Sequence, residues 1–540
     1  MHAPAGHQSP LMPPLQDYAL IGNCETAAFI STQASIDWLA WPRFDSASCF
    51  GALRDGPSGG FWRITPQDAE AQVTRHYLGP TPMLETEIET TTGRARITDF
   101  MPTKIRDSHV VRRVLGLAGE IAFTSEIRVR FNNGTTVPYV RRHGDDSLHF
   151  IAGPDRVTLR GSVAHEGQDE TYVAAFKLSA GETVDFSLTY TPAYTDAPRL
   201  LDPKIVAEQT ERTWRAWIGR CTYDGPYAET VIRALITLRT LIYQPSGGII
   251  ATAEPPSGDA EDKRLCRLAG AHLGMRALLD AGYEIEAKAW RNFLLRAIAG
   301  EPAKLRSRYG IIGERLAGPA APLQLYGDIF LALSEGRRYG LHLDPEDWSL
   351  ESEVLRRIED MCEDMCFDAT QESYGKFTAL IAFERGMESI EKYGCAGPID
   401  PWRECHRRLA AEINTLPVDA DTRLLSLLDA DNFLKHGDRL CASLAAIEQN
   451  CLIDGLVRYD GKEAVSLSTN FHYVAALAHI GRVAEAHKIF ERAAALANDV
   501  GLFGDAYDFG SKQRIGMFPD TATHVALINA AYALARTEKA

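Results

Sequence analysis

From Tyr18 to about residue 195 the apolar positions come in short runs, the pattern of strands that bury one face. Tyr18 to Ile21, Ala27 to Ser31 and Ser35 to Leu39 open the series. Phe61 to Ile64, Met83 to Thr90, Ala95 to Phe100, Val110 to Leu117, Ile121 to Phe131, Val157 to Val163 and Val184 to Tyr190 continue it. Between them stand Gly22-Asn23, Asn132-Asn133-Gly134 and Gly144-Asp145-Asp146, residue types that tolerate the backbone conformations of a reversal. The spacing predicts an antiparallel β-sandwich over residues 1–200.

The period then changes. Val206, Thr210, Trp214 and Trp217 recur every three to four residues, which predicts a helical linker over 201–225. Beyond Pro226 the helical period runs to the end, with helices expected at 227–243, 262–281, 284–299, 322–337, 348–365, 376–393, 401–414, 420–429, 436–450, 465–479, 483–498 and 520–537. Twelve amphipathic helices make six hairpins, and such a set can close into an (α/α)6 barrel over 226–540. A helical solenoid is the competitor, and the absence of a strict repeat leaves the two open. The pattern alone gives an α+β, multidomain fold: a β-sandwich followed by a helical unit, barrel or solenoid.

Size and charge narrow the functions. A chain of 540 residues exceeds one ordinary core. Its 57 Lys and Arg against 72 Asp and Glu give a net charge of -15, which repels nucleic acid and anionic membranes. No run reaches the roughly 18 apolar residues of a membrane span. The opening MHAPAGHQSPLMPPLQ lacks the basic and apolar regions of an export signal, so a cytoplasmic location is expected. Ten cysteines are scattered without a disulfide framework. Cys362 and Cys366, four apart, lack two further ligands at suitable spacing and read as packed thiols. With no phosphate-cradling loop or dinucleotide fingerprint, neither metal nor cofactor is expected. Self-association is left open.

Five stretches carry a resemblance. They are Leu15 to Asp55, Ile97-Thr98-Asp99-Phe100-Met101-Pro102, Tyr309-Gly310-Ile311 with Gly313-Glu314-Arg315, Ala497-Asn498-Asp499-Val500-Gly501-Leu502, and Met517-Phe518-Pro519 followed by Thr523 to Asn529. They resemble the bacterial branch of glycoside hydrolase family 15, the glucoamylase-like and trehalase-like proteins. The resemblance implies the same sandwich and barrel, and inverting hydrolysis of an α-glycosidic bond. Inversion uses two carboxyl groups about 6.5–9.5 Å apart, one protonating the leaving oxygen and one activating water.

The resemblance also implies site residues. The family's general acid, a Glu following an aromatic residue before a helix that begins Phe-Thr, corresponds to Asp368, with Phe367 before it and Phe377-Thr378 after. Its general base corresponds to Asp505, with Tyr507 close by. Both carboxylates are one methylene shorter than in the family, and a misplacement of about 1 Å can cost roughly a hundredfold in rate. The motif Asn-Trp-Asp-Tyr-Arg-x-Cys-Trp-Leu-Arg-Asp-Ala corresponds to residues 260–271, keeping Asp262, Arg264, Cys266 and Leu268. Its final Arg-Asp pair, which grips hydroxyls of a terminal glucose, is Ala269-Gly270 here. Each lost charge-assisted hydrogen bond is worth about 1.5–3 kcal/mol.

Arg458, Glu463 and His524 match pocket positions, whereas His272 and His472 replace a Ser and a Trp. The expected substrate-binding set is therefore Asp262, Arg264, Arg458, Glu463, Phe367, His272, His472, Tyr507 and His524. Three readings follow. The first is an inverting hydrolase of a small saccharide or glycoside that does not end in a plain glucose. The second is a barrel repurposed for an acid/base reaction such as elimination or rearrangement, using the histidines. The third is a carbohydrate-binding pseudoenzyme.

Overall fold

A computed structural model describes residues 13–103, 106–144, 147–256, 261–341, 345–364, 373–459 and 463–539. The chain forms two compact units, Met1–Trp214 with Pro255–Glu261 and Arg215–Glu254 with Asp262–Ala540. The expected linker is thus no separate body, because its helix is divided between the units.

The first unit contains fifteen described antiparallel strands and a one-turn helix, α1 (Ala52–Asp55). Its organiser is the 21-residue strand Ser108–Arg128. The first half pairs with Gly93–Phe100 and Thr183–Pro192, the second with Phe61–Pro66 and Thr171–Ser179, so one strand serves both sheets. The sequence pattern breaks this strand in two at residues 118–120. The break is where the strand changes sheets: Gly119 has φ +61°, and a Cβ on Gly116 would lie 2.1 Å from the Ser179 carbonyl oxygen. Between the sheets Phe186 meets Trp62 and Phe176, and Phe150 meets Tyr172.

Strands at Gln72–Tyr77 and Tyr139–His143 escape the sequence reading because most of their side chains face solvent. The family-like motifs of this unit serve its core. Tyr18 and Ser35 donate to the two oxygens of Asp37, at 2.8 and 2.5 Å. Arg112 and Asp99, both fully buried, form a two-pronged pair at 2.8 and 3.1 Å, and Arg112 also donates to the carbonyls of Trp62 and Ala34. A buried charge pair persists only with its partners satisfied in this way.

Helix α2 (Pro203–Ile218) spans the division, after which the second unit is helical. It contains α3 (Ala228–Thr240), α4 (Ala271–Asp280), α5 (Glu284–Ile298), α6 (Leu323–Arg338), α7 (Pro345–Asp364), α8 (Ser373–Tyr393), α9 (Ile399–Thr415), α10 (Ala430–Asn450), α11 (Leu467–His479), α12 (Val483–Ala494) and α13 (Thr521–Lys539). An inner ring runs α4, α6, α8, the 3-10 segment Thr422–Leu427, α11 and α13, each packing on the next and α13 returning to α4. The ring is closed, so the unit is a toroid rather than a solenoid. Outside it α5 packs on α4 and α6, α7 on α6, α9 on α8, α12 on α11, and α3 on α13. Helices α6 and α13 are buried nearly all round, as inner-ring positions require.

Three expected helices differ. The helix expected at 420–429 is the short 3-10 segment, and that expected at 436–450 begins at Ala430 and is broken at His436 (φ -129°). The helix expected from 262 starts only at Ala271. Its first nine residues run extended because Cys266 and Arg267 pair with Tyr309 and Arg308, Ile250 bridges to Cys266, and Gly270 turns the chain at φ +71°. The apolar spacing of Leu265 and Leu268 fits either form, and strand pairing decides it.

Candidate active site

The extended segment, the loop before α13 and the chain between α12 and α13 meet where α4, α11 and α13 begin. Asn498 folds the last of these: its side-chain oxygen accepts from the N–H of Val500 and Leu502, and Gly501 turns at φ +79°. The chain then enters a three-stranded sheet of Ala464–Ser466, Ala506–Asp508 and Gln513–Ile515. Asp505 precedes the middle strand, its N–H on the Met517 carbonyl (3.0 Å) and its own carbonyl on the Leu467 N–H (2.9 Å). A Cβ on Gly516 would stand 2.6 Å from the Asp505 carboxylate, so only glycine fits there.

The half-buried Asp505 carboxylate accepts from the Tyr459 hydroxyl at 2.9 Å. Burial pushes its pKa up, while Tyr459, Arg267 and Lys263 hold it down. Asp520, only 1% exposed, caps α13: the Thr523 N–H and hydroxyl both reach Oδ2 at 2.8 Å. Its buried Oδ1 has no hydrogen-bond partner among the described residues. Burial and the charge of Asp505 push this carboxyl up to about 7, against Thr523 and Arg267. Glu254, which accepts from the Phe518 N–H at 3.0 Å, is raised by burial and by Asp505, with Lys263 opposing. Three carboxyl groups therefore share a site with two cations, Arg267 and Lys263.

Beside this cluster lies a cavity of about 250 Å³, lined by Arg267, Asp520, His472 and the N-terminal turns of α4 and α13. Ala269 and Gly270 line it too, and the Gly270 N–H donates to Asp328 at 2.9 Å. His472 is pushed down to about 4 by burial and by His272, so it is neutral near pH 7. His272 is buried, and neither ring nitrogen makes a hydrogen bond, although Nδ1 lies 3.3 Å from Asp328 Oδ1.

Of the expected site residues, Asp505 and His472 meet here. Asp368 and Phe367 lie outside the described residues. Asp262 and Arg264 bond each other, Nη2 to Oδ2 at 2.7 Å, and stiffen the extended segment. Arg458 and Glu463 are exposed and do not line the cavity, and Tyr507 stands edge-on to Phe509 instead. His524 is fully buried and does not line the cavity. Its Nε2 faces the Phe503 N–H (3.4 Å) and its Nδ1 the Asp520 carbonyl (2.7 Å). Burial drives it down to about 4, so the neutral ring ties the Asp505 loop to α13.

Sequence reasoning missed Asp520, Glu254, Lys263, Arg267 and Tyr459. Asp520 with Thr523 is a helix-cap signature, and Arg267 stands where the motif has its second Trp, so both carried a signal. Glu254, in a proline-flanked loop, carried none. Among the described residues no group of three or more His, Cys, Asp or Glu could hold a metal ion, and no helix is long and apolar enough to cross a membrane.

Residues 6–214 match the family described as trehalase-like, N-terminal. A trehalase of Thermoplasma volcanium is 24% identical, with 96% of this chain and 93% of the relative covered. A trehalase of Mycobacterium tuberculosis is 26% identical, with 100% and 93% covered. A bacterial glucoamylase solved with acarbose superposes with a TM-score of 0.73 over 100% of this chain and 96% of its own, at 9% identity. The fold shared with that structure is an antiparallel β-domain and an (α/α)6 barrel in one chain. The chain's N-terminal part thus carries the trehalase-like domain, and nearly its whole length is similar to proteins named trehalase.

Proposed function

We propose that the protein hydrolyses an α-glycosidic bond of a small saccharide or glycoside with inversion, Asp505 acting as general base. The observation that carries this reading is the Asp505 carboxylate, held by Tyr459 beside the cavity at the N-terminal end of the inner ring. A base must be ionised yet basic enough to take a proton. Burial raises the proton affinity of Asp505, and Tyr459, Arg267 and Lys263 preserve its charge. Asp505 removes a proton from water as the water oxygen bonds to the anomeric carbon. The bond to the leaving oxygen breaks on the opposite face, and that oxygen takes a proton from the acid, for which Asp368 is the candidate. The curated relatives are trehalases, so trehalose heads the substrates to test. Ala269 and Gly270 at the cavity support a terminal ring held otherwise than by an Arg-Asp clamp.

The test incubates wild type and Asp505→Asn with trehalose, maltose, isomaltose and α-glucuronides. The reading expects turnover of at least one by wild type and a loss of about 10²–10⁴-fold in the variant. Equal rates for the two proteins, or no turnover of any α-glycoside, would overturn it. A second reading, a repurposed acid/base reaction, is favoured by the neutral His472 ring at the cavity. It expects His472→Phe to abolish a reaction that Asp505→Asn only slows.

A further inference from the structure

The described wall of the cavity beside Asp505 carries six polar side chains, and two of them are already spent. The Thr521 hydroxyl donates to the Ile250 carbonyl at 2.6 Å, and the Trp290 N–H to the Ala271 carbonyl at 3.2 Å. Four remain. Arg267 stands exposed on the short strand that Tyr309 and Arg308 hold, Ser468 and His472 lie one turn apart on α11, and Asp520 precedes α13. Ala269 and Gly270 add no polar side chain to the wall.

Asp520 has one oxygen left over. Its Oδ2 takes the Thr523 N–H and hydroxyl, both at 2.8 Å, whereas the buried Oδ1 has no hydrogen-bond partner among the described residues. A buried carboxyl oxygen left unpaired is unfavourable, and the cavity that Asp520 lines is where a partner can enter. Arg267 brings the complementary half. Its charge lowers the proton affinity of both Asp505 and Asp520, which places it within electrostatic reach of each. Among the described residues its guanidinium has no hydrogen-bond or ion-pair partner.

A hydroxyl group both donates and accepts, so it satisfies a carboxyl in either protonation state and a guanidinium that only donates. Two neighbouring hydroxyls of one sugar ring thus match an Arg and an Asp that line the same cavity. A ligand carboxylate matches less well, because Asp505, Asp520 and Glu254 outnumber Arg267 and Lys263 around it. The volume, about 250 Å³, is that of roughly eight waters at ~30 Å³ each, the scale of one ring.

We propose that Arg267 and Asp520 together bind neighbouring hydroxyls of a neutral terminal sugar ring in this cavity, so that the ring is held by groups from two distant segments rather than by an adjacent pair. Ser468 and His472, on the facing helix turn, offer it further polar contacts. The inference deepens the hydrolase reading by naming what holds the ring, and rests on that reading only for turnover.

Calorimetry in an Asp505→Asn background, where sugar is bound but not consumed, tests it. The tightest binder among trehalose, maltose and isomaltose is compared with its monodeoxy analogues, with and without Arg267→Met or Asp520→Ser. Serine keeps a capping oxygen for α13 and removes the unpaired one, and Met at the exposed Arg267 leaves the core alone. Each variant is expected to weaken the parent sugar at least about tenfold, the worth of one charge-assisted hydrogen bond. For each variant, one monodeoxy analogue should bind with and without the substitution alike, because the hydroxyl that met the missing group is gone. A uniform loss across all analogues would mark a structural effect and overturn the proposal. So would unchanged affinity in either variant, tighter binding of an α-glucuronide, or no binding of any of the three sugars. The analogue pattern without turnover of any α-glycoside by wild type would sink the hydrolase reading and keep this one; turnover without the pattern would do the reverse.

Discussion

The two ends of the inner ring hold two cavities of different character. At the C-terminal end a cavity of about 530 Å³ is bordered by the last turns of α4, α6, α8 and α13. Its charges come in matched sets. Arg276 binds Asp429 at 2.7 Å and Glu335 at 3.2 Å, and Arg536 binds Asp280 at 2.5 Å. Burial pushes the Asp429 carboxyl up, but Arg276 and the Asn432 N–H more than offset this, and it ends below its ordinary value. The N-terminal end has less than half that volume and holds like charges together, with Asp505, Asp520 and Glu254 all raised. Matched charge fastens helices together. Mismatched charge costs stability, and its concentration beside one cavity is what the proposed hydrolase reading uses.

The comparison breaks most visibly at the matched end. Arg276→Ala strands two largely buried carboxylates and should cost about 3–5 kcal/mol in chemical denaturation, as when a buried pair loses one partner. Activity per folded molecule should change far less; a loss of activity without a loss of stability would contradict the division of labour.

Next in size is Asp520→Asn at the mismatched end. The folded carboxyl binds its proton up to about pH 7, whereas an unfolded Asp releases it near pH 4. The stability it contributes is thus fully present below about pH 4 and is lost as pH rises through about 7. The variant should be more stable than wild type at pH 8, by about 1–3 kcal/mol, and no more stable at pH 4. Parallel stability–pH curves for the two proteins would remove Asp520 from the cluster.

Tyr459→Phe sharpens the picture of the base. Without the hydroxyl, which holds the Asp505 pKa down, the acid limb of kcat/KM should move to higher pH by about one unit. An unmoved limb would mean that Asp505 does not set it. The smallest effect belongs to His272→Met. Both ring nitrogens are buried without hydrogen bonds, so an apolar side chain of similar size should change stability by less than about 1 kcal/mol. A loss of several kcal/mol would show that the Asp328 contact at 3.3 Å matters.

How much of this was readable beforehand depended on whether the signal was local. The change of period at Pro203 separates strands from helices because buried faces repeat every two or every three to four residues, a property of each segment alone. The motif around Asp505 singles it out as a candidate, and the structure sets it beside the cavity next to Asp520. The nine extended residues before α4 were not legible, because Tyr309 pairs with them from more than 40 positions away. Arg267 became a site residue only through that pairing. Asp520 was readable as a cap, yet its neighbourhood with Asp505 arises from the fold of the Met517 and Phe503 backbones. His524 misled in the opposite direction: its motif is real, but its ring serves two backbone groups in the core.

The central claim is that Asp505 delivers water to the face opposite the leaving group. Proton NMR of the first turnovers, on the best α-glycoside of the panel, tests it directly. The account predicts that the sugar attacked by water is released as the β-anomer, so that trehalose gives one β- and one α-glucose per turnover, and that the equilibrium mixture is reached only later by mutarotation. Release of the attacked sugar as the α-anomer, which from trehalose would give α-glucose alone, would contradict it, because retention needs a carboxylate bonded to the anomeric carbon rather than a base acting through water.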